Sequence, residues 1–250
     1  MSIQAFLVVP FHDEASRWSE QYWRAMLDTT HIGWVLVDDG STDGTTDLLE
    51  GRQAPHVFLL RLDRNVGKSN AVREGMLRGL DRFPTSRAAG FLDGDGAFAV
   101  EEVHTLVEQA SGLIGAGHLE AVWSSRVALA GHRIERRLSR HYLGRLVATF
   151  LFRGAEWAPY DSQCGFKVFS VSPELKQSLA EPFATRWFVD IELLARLAAA
   201  LGGIPRIREV PLESWRDVAG SKVAGTSVVR ILRELRIARR HVRAIERSSG

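Results

Sequence analysis

Two short apolar runs in this chain stop abruptly at aspartates: residues 34–37 (Trp-Val-Leu-Val) at Asp38-Asp39, and residues 88–92 at Asp93-Gly94-Asp95. An unbroken apolar run of this length is the pattern of a strand buried on both faces of a parallel sheet. Residues 5–10 and 57–60 read the same way, and 121–124 is a further strand. Between them the spacing predicts helices over 14–29, 45–50, 65–80 and 101–109. Strands alternating with helices mean βαβ units, hence an α/β chain with a mostly parallel, Rossmann-like sheet and helices on both faces. Ligands of such sheets sit outside the C-terminal strand ends, at a topological switch point. Pro10, Asp38-Asp39 and Asp93-Gly94-Asp95 all stand at strand ends, so they are expected to converge on one crevice.

Four carboxylates gathered there would repel one another and raise each other's pKa. A hard divalent cation, Mg²⁺ or Mn²⁺, relieves this by taking oxygen ligands, and it commonly shares the phosphate oxygens of a nucleotide. The alternative is that Asp38, Asp39 and Asp43 serve only as turn and cap residues before a helix. The stretch Asn65-Val66-Gly67-Lys68-Ser69-Asn70-Ala71 opens a helix but lacks the first glycine of a Walker A loop. Lys68 near that helix start faces either a phosphate or solvent.

Charge is unevenly distributed. Residues 1–125 carry 10 Lys/Arg and 18 Asp/Glu, and residues 126–250 carry 22 and 12, so a net charge of +2 conceals −8 and +10. The acidic half suits a cation. The basic half suits an anionic partner such as phosphate, a lipid headgroup or nucleic acid, unless both reflect solvated faces. With 250 residues the chain can bury a core without staples, and its single cysteine, Cys164, excludes an internal disulfide framework and points to a reducing compartment. No basic region precedes an apolar run at Met1, so no secretory signal is expected, and no apolar stretch is long enough to suggest a spanning helix.

Taken together, the motifs Val8-Val9-Pro10-Phe11-His12-Asp13-Glu14, Val37-Asp38-Asp39-Gly40-Ser41-Thr42-Asp43-Gly44-Thr45, Asn65-Val66-Gly67-Lys68 and Leu92-Asp93-Gly94-Asp95-Gly96-Ala97 resemble family-2 inverting glycosyltransferases of the GT-A fold. Further motifs lie at Ser124-Ser125-Arg126, at Asp161-Ser162-Gln163-Cys164-Gly165-Phe166-Lys167, from Arg186 to Leu194, and from Trp215 to Lys222. They are similar to the polyprenyl-phosphate branch: dolichyl-phosphate mannose synthases and, more closely, dolichyl-phosphate β-glucosyltransferases. The resemblance implies a nucleotide-sugar donor (UDP-glucose first, GDP-mannose next), a polyprenyl phosphate acceptor rather than nucleic acid, and Mg²⁺ or Mn²⁺. By the same resemblance Pro10, Asp13, Glu14 and Asp39 hold the donor's base and ribose. Lys68 and Asp93 lie near the base or diphosphate, and Asp93 and Asp95 form the metal-binding Asp-x-Asp motif. Arg126 meets phosphate on the acceptor side, while Gln163 and the segment from Asp190 to Glu192 line the sugar and reaction centre. The chain departs from the usual pattern at His12, at Asp13 and in having Asp-Gly-Asp, without losing a required carboxylate.

A hydroxyl acceptor needs a general base, for which Asp161 and Asp190 are candidates, whereas a phosphate monoester with a second pKa of about 6 is already anionic at neutral pH. It needs cations instead, and Arg126 with Arg133, Arg136, Arg137 and Arg140 supplies guanidinium groups. Cys164 reads as a packing residue, His104, His118, His132 and His141 lack metal-ligand spacing, and Trp18, Trp23 and Trp34 read as core. Trp187 and Trp215 fall in the motifs and are candidates for sugar or acceptor contact. Residues 142–152 are apolar but too short to span a bilayer, so they either dock on it or form a core helix. Residues 228–247 form a basic amphipathic helix. Val228, Ile231, Leu232, Leu235, Ala238, Val242 and Ile245 make its stripe, and Arg230, Arg233, Arg236, Arg240, Arg243 and Arg247 lie mostly off it. It is expected to lie on an anionic membrane surface, to pack on the domain or to meet a membrane-protein partner. The expected organisation is a catalytic domain over 1–222 followed by this helix over 223–250, peripheral at a cytoplasmic membrane face. The competing readings are transfer to a hydroxyl acceptor and a non-catalytic protein that binds lipid or nucleic acid through its basic half.

Overall fold

The computed structural model describes residues 3–117, 119–136, 138–153, 155, 157–218 and 228–248. His118, Arg137, Gly220, Ser221, Lys222, the side chains of Arg140, His141, Val228 and Arg230, and the expected domain boundary after residue 222 lie outside the described residues. The strands are β1 (Ala5–Phe11), β2 (Ile32–Asp38), β3 (Val57–Arg61), β4 (Ala88–Leu92), β5 (Ala121–Ser125), β6 (Arg133–Glu135), β7 (Phe166–Ser170), β8 (Ile207–Pro211) and β9 (Ser214–Arg216). The helices are α1 (Glu20–Leu27), α2 (Thr45–Glu50), α3 (Lys68–Arg82), α4 (Val100–Gly115), α5 (Leu138–Phe152), α6 (Pro173–Ser178), α7 (Val189–Leu201) and α8 (Val228–Ser248).

Among the described residues, seven strands form one sheet in the order β3-β2-β1-β4-β7-β5-β8, and β6 pairs with β9 beside it. Alternate residues of β1 feed opposite faces. Leu7, Val9 and Phe11 pack with Trp23, Met26, Val103 and Leu106, whereas Phe6 and Val8 pack with Val72, Met76, Leu193 and Leu194. Both faces are therefore covered, as the unbroken apolar runs require. The chain winds outward from β1 through β2 to β3, then returns to place β4 on the other side of β1. This reversal is the switch point, and it lies between Pro10 and Asp93.

One detail differs from the sequence reading and one goes beyond it. The helix expected over 14–29 is divided into a 3-10 turn, Ala15–Arg17, and α1, because Ser19 caps α1 by accepting the Tyr22 amide at 3.3 Å. The sheet departs from parallel at β7, which runs antiparallel to both β4 and β5. Because β7 runs backwards, it is the segment before it, residues 161–165, that reaches the same sheet edge as the ends of β4 and β5.

Candidate functional site

At that edge Asp93, Asp95, Arg126, Arg136, Gly165, Trp215 and Asp217 line a cavity of about 120 Å³. Asp93 follows β4 directly. Its amide donates to the Gly165 carbonyl at 2.8 Å, and its carboxylate pairs with Lys68 Nζ at 2.5 Å. Gly165 is required here, since a Cβ at that position would fall 2.1 Å from Asp93 Oδ2. Gly94 packs so tightly that its Cβ would sit 2.8 Å from the Pro10 carbonyl, which draws the loop against the end of β1. The Asp95 carboxyl is pushed up to about 6 by burial and by the charge of Asp93 beside it. Burial together with Asp95 likewise raises the Tyr22 phenol.

The four carboxylates do not all converge. Asp38 accepts the Ser41 amide at 2.9 Å and the Thr46 hydroxyl, and Asp39 accepts the Val66 and Gly67 amides at 2.6 and 2.9 Å. Turn amides have taken these two groups, and burial raises the Asp39 carboxyl. Asp43 bonds the Ala15 and Thr45 amides at 2.9 and 3.1 Å, which is the turn role. Among the described residues, no group of three or more His, Cys, Asp or Glu side chains is arranged to hold a metal ion. The carboxylates that line the cavity are those of Asp93, Asp95 and Asp217, the last lying within the motif from Trp215 to Lys222 but outside the expected site residues. A hard divalent ion fits such a set if phosphate and water complete its shell.

Asp13 and Glu14 sit on a kinked turn after β1. Asp13 has φ +48° and accepts the Thr42 amide at 2.8 Å, and the Glu14 amide donates to Thr45 Oγ1 at 2.8 Å. Short polar side chains tolerate this left-handed backbone. The turn ties the ends of β1 and β2 into one wall.

On the opposite wall Arg126 follows β5 and grips Asp161 with two parallel bonds of 2.7 and 2.8 Å. This charge-assisted pair lowers the Asp161 carboxyl to about 2, against the opposing effect of burial. The Arg126 guanidinium stacks 5.1 Å over the Trp215 ring. Burial and the neighbouring Arg126 charge lower Arg136. Asp190 accepts from the fully buried Lys167 at 3.3 Å and its charge also acts on Lys68, the partner of Asp93, while Glu192 accepts the Ala184 and Thr185 amides at 2.9 Å each. Gln163 is half-buried in the turn before β7 and does not line the cavity. Burial pushes the Cys164 thiol up to about 11, and its sulfur accepts from the Ser124 hydroxyl at 3.0 Å, so it packs. Lys167 stands within its motif but is not among the residues the sequence singles out. A lysine one residue inside a strand gives no hint that it is buried.

A family model described as Glycosyl transferase family 2 matches residues 6–157. A dolichyl-phosphate beta-glucosyltransferase of Trichomonas vaginalis is 27% identical over 250 residues, covering 94% of this chain and 72% of its own length. The enzyme of that name from Saccharomyces cerevisiae is 29% identical, with 76% and 58% covered, and that from Drosophila melanogaster is 30% identical, with 89% and 70% covered. The chain thus spans 58–72% of the length of these relatives. Among solved structures, glucosyl-3-phosphoglycerate synthase from Mycobacterium tuberculosis, in complex with Mn²⁺ and UDP-glucose, aligns with a TM-score of 0.60 at 18% identity, covering 94% of this chain and 78% of that one. A mannosyltransferase from Pyrobaculum calidifontis, in complex with GDP-mannose and Mn²⁺, aligns at 0.56 and 14% identity, covering 99% and 74%. The fold expected from the motifs, GT-A, is the fold these structures share with the chain.

Proposed function

The chain belongs to glycosyl transferase family 2 and is a nucleotide-sugar-dependent glycosyltransferase, and from that premise we propose that it moves glucose from UDP-glucose to a polyprenyl or dolichyl phosphate with inversion. One observation carries the reading: a single cavity has Asp93 and Asp95 on one wall and Arg126 and Arg136 on the other. The acidic wall suits a cation on the donor diphosphate, and the guanidinium wall suits an acceptor phosphate. Mg²⁺ or Mn²⁺, held by Asp95 and Asp93, would neutralise charge on the leaving diphosphate. Lys68 adds a fixed positive charge beside Asp93, and Asp39, Asp13, Glu14 and Pro10 shape the wall for base and ribose. Arg126 and Arg136 orient an acceptor that is already charged.

Transfer to a hydroxyl is the second reading, and it requires a base. Asp161 is committed to Arg126 and lowered to about 2, and Asp190 is paired with Lys167. The lowered Asp161 is a poor base and the Asp190 side chain is engaged by a buried lysine, which favours a phosphate acceptor. Incubation of the protein with detergent-solubilised polyprenyl phosphate and labelled UDP-glucose or GDP-mannose, with Mn²⁺ or with chelator, tests the reading. Phosphate-linked glucose that forms only with the cation is the expected product. Transfer to hydroxyl acceptors alone, or no transfer from either donor, overturns it.

The acceptor brings the protein to a bilayer. Among the described residues no helix is long and apolar enough to cross a membrane. The expectation that the apolar stripe of α8 lies on the membrane meets a structural obstacle. Ala238 and Val242 pack with Leu151, Phe152 and Ile191 of α5 and α7, and Ile245 is buried as well. What α8 offers a surface is its exposed arginines, Arg233, Arg236, Arg240, Arg243 and Arg247. Next to them α5 exposes Tyr142, Leu146 and Phe150 by 64, 68 and 51%, spaced four apart on one helix face. We read this combined face as the peripheral docking surface for an anionic, cytoplasmic membrane leaflet.

A further inference from the structure

The loop 65–68, which leads into α3 and carries Lys68, is held from two sides. Asp39 takes its Val66 and Gly67 amides from one side. Arg186 holds it from the other. The Arg186 guanidinium bonds the Asn65 side-chain oxygen, and its carbonyl accepts the Ser69 amide at 2.9 Å. Its side chain lies so close to Gly67 that a Cβ there would come within 3.1 Å.

Arg186 itself lies in the irregular segment between α6 and α7, with no strand or helix to fix it. It is fixed by Glu234 of α8. That carboxylate accepts the Arg186 amide at 3.0 and 2.8 Å and the Trp187 amide at 3.3 Å. Glu234 is 7% exposed and stands in the inward stripe of α8, four residues before the fully buried Ala238. Packing alone would place an apolar side chain there, because a buried carboxylate is costly unless its oxygens are well bonded. The backbone amides at 186 and 187 supply those bonds. A chain of contacts thus runs from α8 through Glu234, Arg186 and Asn65 to Lys68, and from Lys68 to Asp93.

We propose that Glu234 is a positioning residue of the donor site, acting through Arg186 on the loop that presents Lys68. The inference rests on the nucleotide-sugar reading. It makes nucleotide affinity depend on a helix that lies beyond the residues matched by the family model.

The test is isothermal titration of the full chain with UDP and with GDP, each with MnCl₂, together with steady-state kinetics. Glu234→Gln is expected to weaken nucleotide binding and raise donor KM roughly tenfold, the equivalent of one charge-assisted hydrogen bond, with kcat at saturating donor within about twofold of wild type. Arg186→Ala removes the link to Asn65 but leaves the backbone bonds to Glu234, and it should act in the same direction even if Glu234→Gln folds poorly. Val242→Ala loosens α8 without touching this chain of contacts. It should lower the Tm and leave donor KM unchanged. Wild-type KM in both Glu234→Gln and Arg186→Ala overturns the proposal, as does a rise in KM for Val242→Ala that matches theirs. If wild-type protein binds neither nucleotide, the donor reading fails and takes the proposal with it. Tight wild-type binding with unaffected variants sinks the proposal alone.

Discussion

Two carboxylates at one strand end resist ionising together, and the raised Asp95 carboxyl records that conflict. Asp95→Asn removes the repulsion but keeps the shape. Its Tm without cation should equal or exceed that of wild type, while transfer falls by at least about 100-fold and added Mn²⁺ no longer raises the Tm. Thermal shift with and without Mn²⁺, beside the transfer assay, checks this. Asp161 behaves oppositely. Its carboxyl is lowered to about 2 in the fold against an ordinary value of about 3.9. Its stabilising contribution is therefore present above about pH 4 and is lost as pH falls toward 2. Asp161→Asn should cost on the order of 3 kcal/mol near neutrality, since it strands a buried guanidinium. Urea titrations should show that difference constant down to about pH 5 and shrinking below about pH 4. The residues that line the cavity were legible in part. Strand-end position and the Asp-x-Asp pattern singled out Asp93 and Asp95. The same logic included Asp38 and Asp39, because a sequence does not show which carboxylates the local turn amides will consume.

Among the elements, α3 shows how backbone and packing compete. Gly79 begins its last turn, where alanine in place of glycine ordinarily stabilises a helix by up to about 1 kcal/mol. Here a Cβ would come 2.2 Å from the Phe6 ring on β1. Gly79→Ala should therefore destabilise the protein by about 1–3 kcal/mol, measurable as a lower urea midpoint at unchanged m-value. The strands β1, β2, β4 and β5 were legible because residues buried on both faces leave apolar runs, and β3, though at the sheet edge and only half-buried, keeps the same run over residues 57–60. The direction of β7 was not, since a doubly buried strand reads the same whichever way it runs. The break between the 3-10 turn and α1 was hidden for a different reason. Helical spacing continues through Trp18 and Tyr22, and only the Ser19 cap marks the interruption.

On the scale of the molecule, the basic second half gathers its charge partly at the cavity and partly on the outward side of α8. If α5 and α8 meet an anionic surface together, Leu146→Glu with Phe150→Glu should largely abolish co-sedimentation with anionic vesicles, because each apolar contact contributes about 1.5–3 kcal/mol when fully buried. Binding should weaken with added salt and be poor on neutral vesicles. Vesicle binding by the double variant equal to wild type would reject this face. The amphipathic pattern of α8 was legible, but its occupant was not: Leu235, Ala238 and Val242 of the stripe are covered by α5 and α7, which the pattern of one helix cannot reveal. The Arg126–Asp161 clasp has a consequence of its own. It fastens the point where the chain leaves β5 to the point where it turns into β7, so residues 127–160 form an excursion buttoned at its base. The excursion carries Arg136 into the cavity and is anchored again where β6 meets β9 and α5 meets α8, so side-chain changes along it reach the acceptor wall while Asp93 and Asp95, on the far side of the clasp, keep their places.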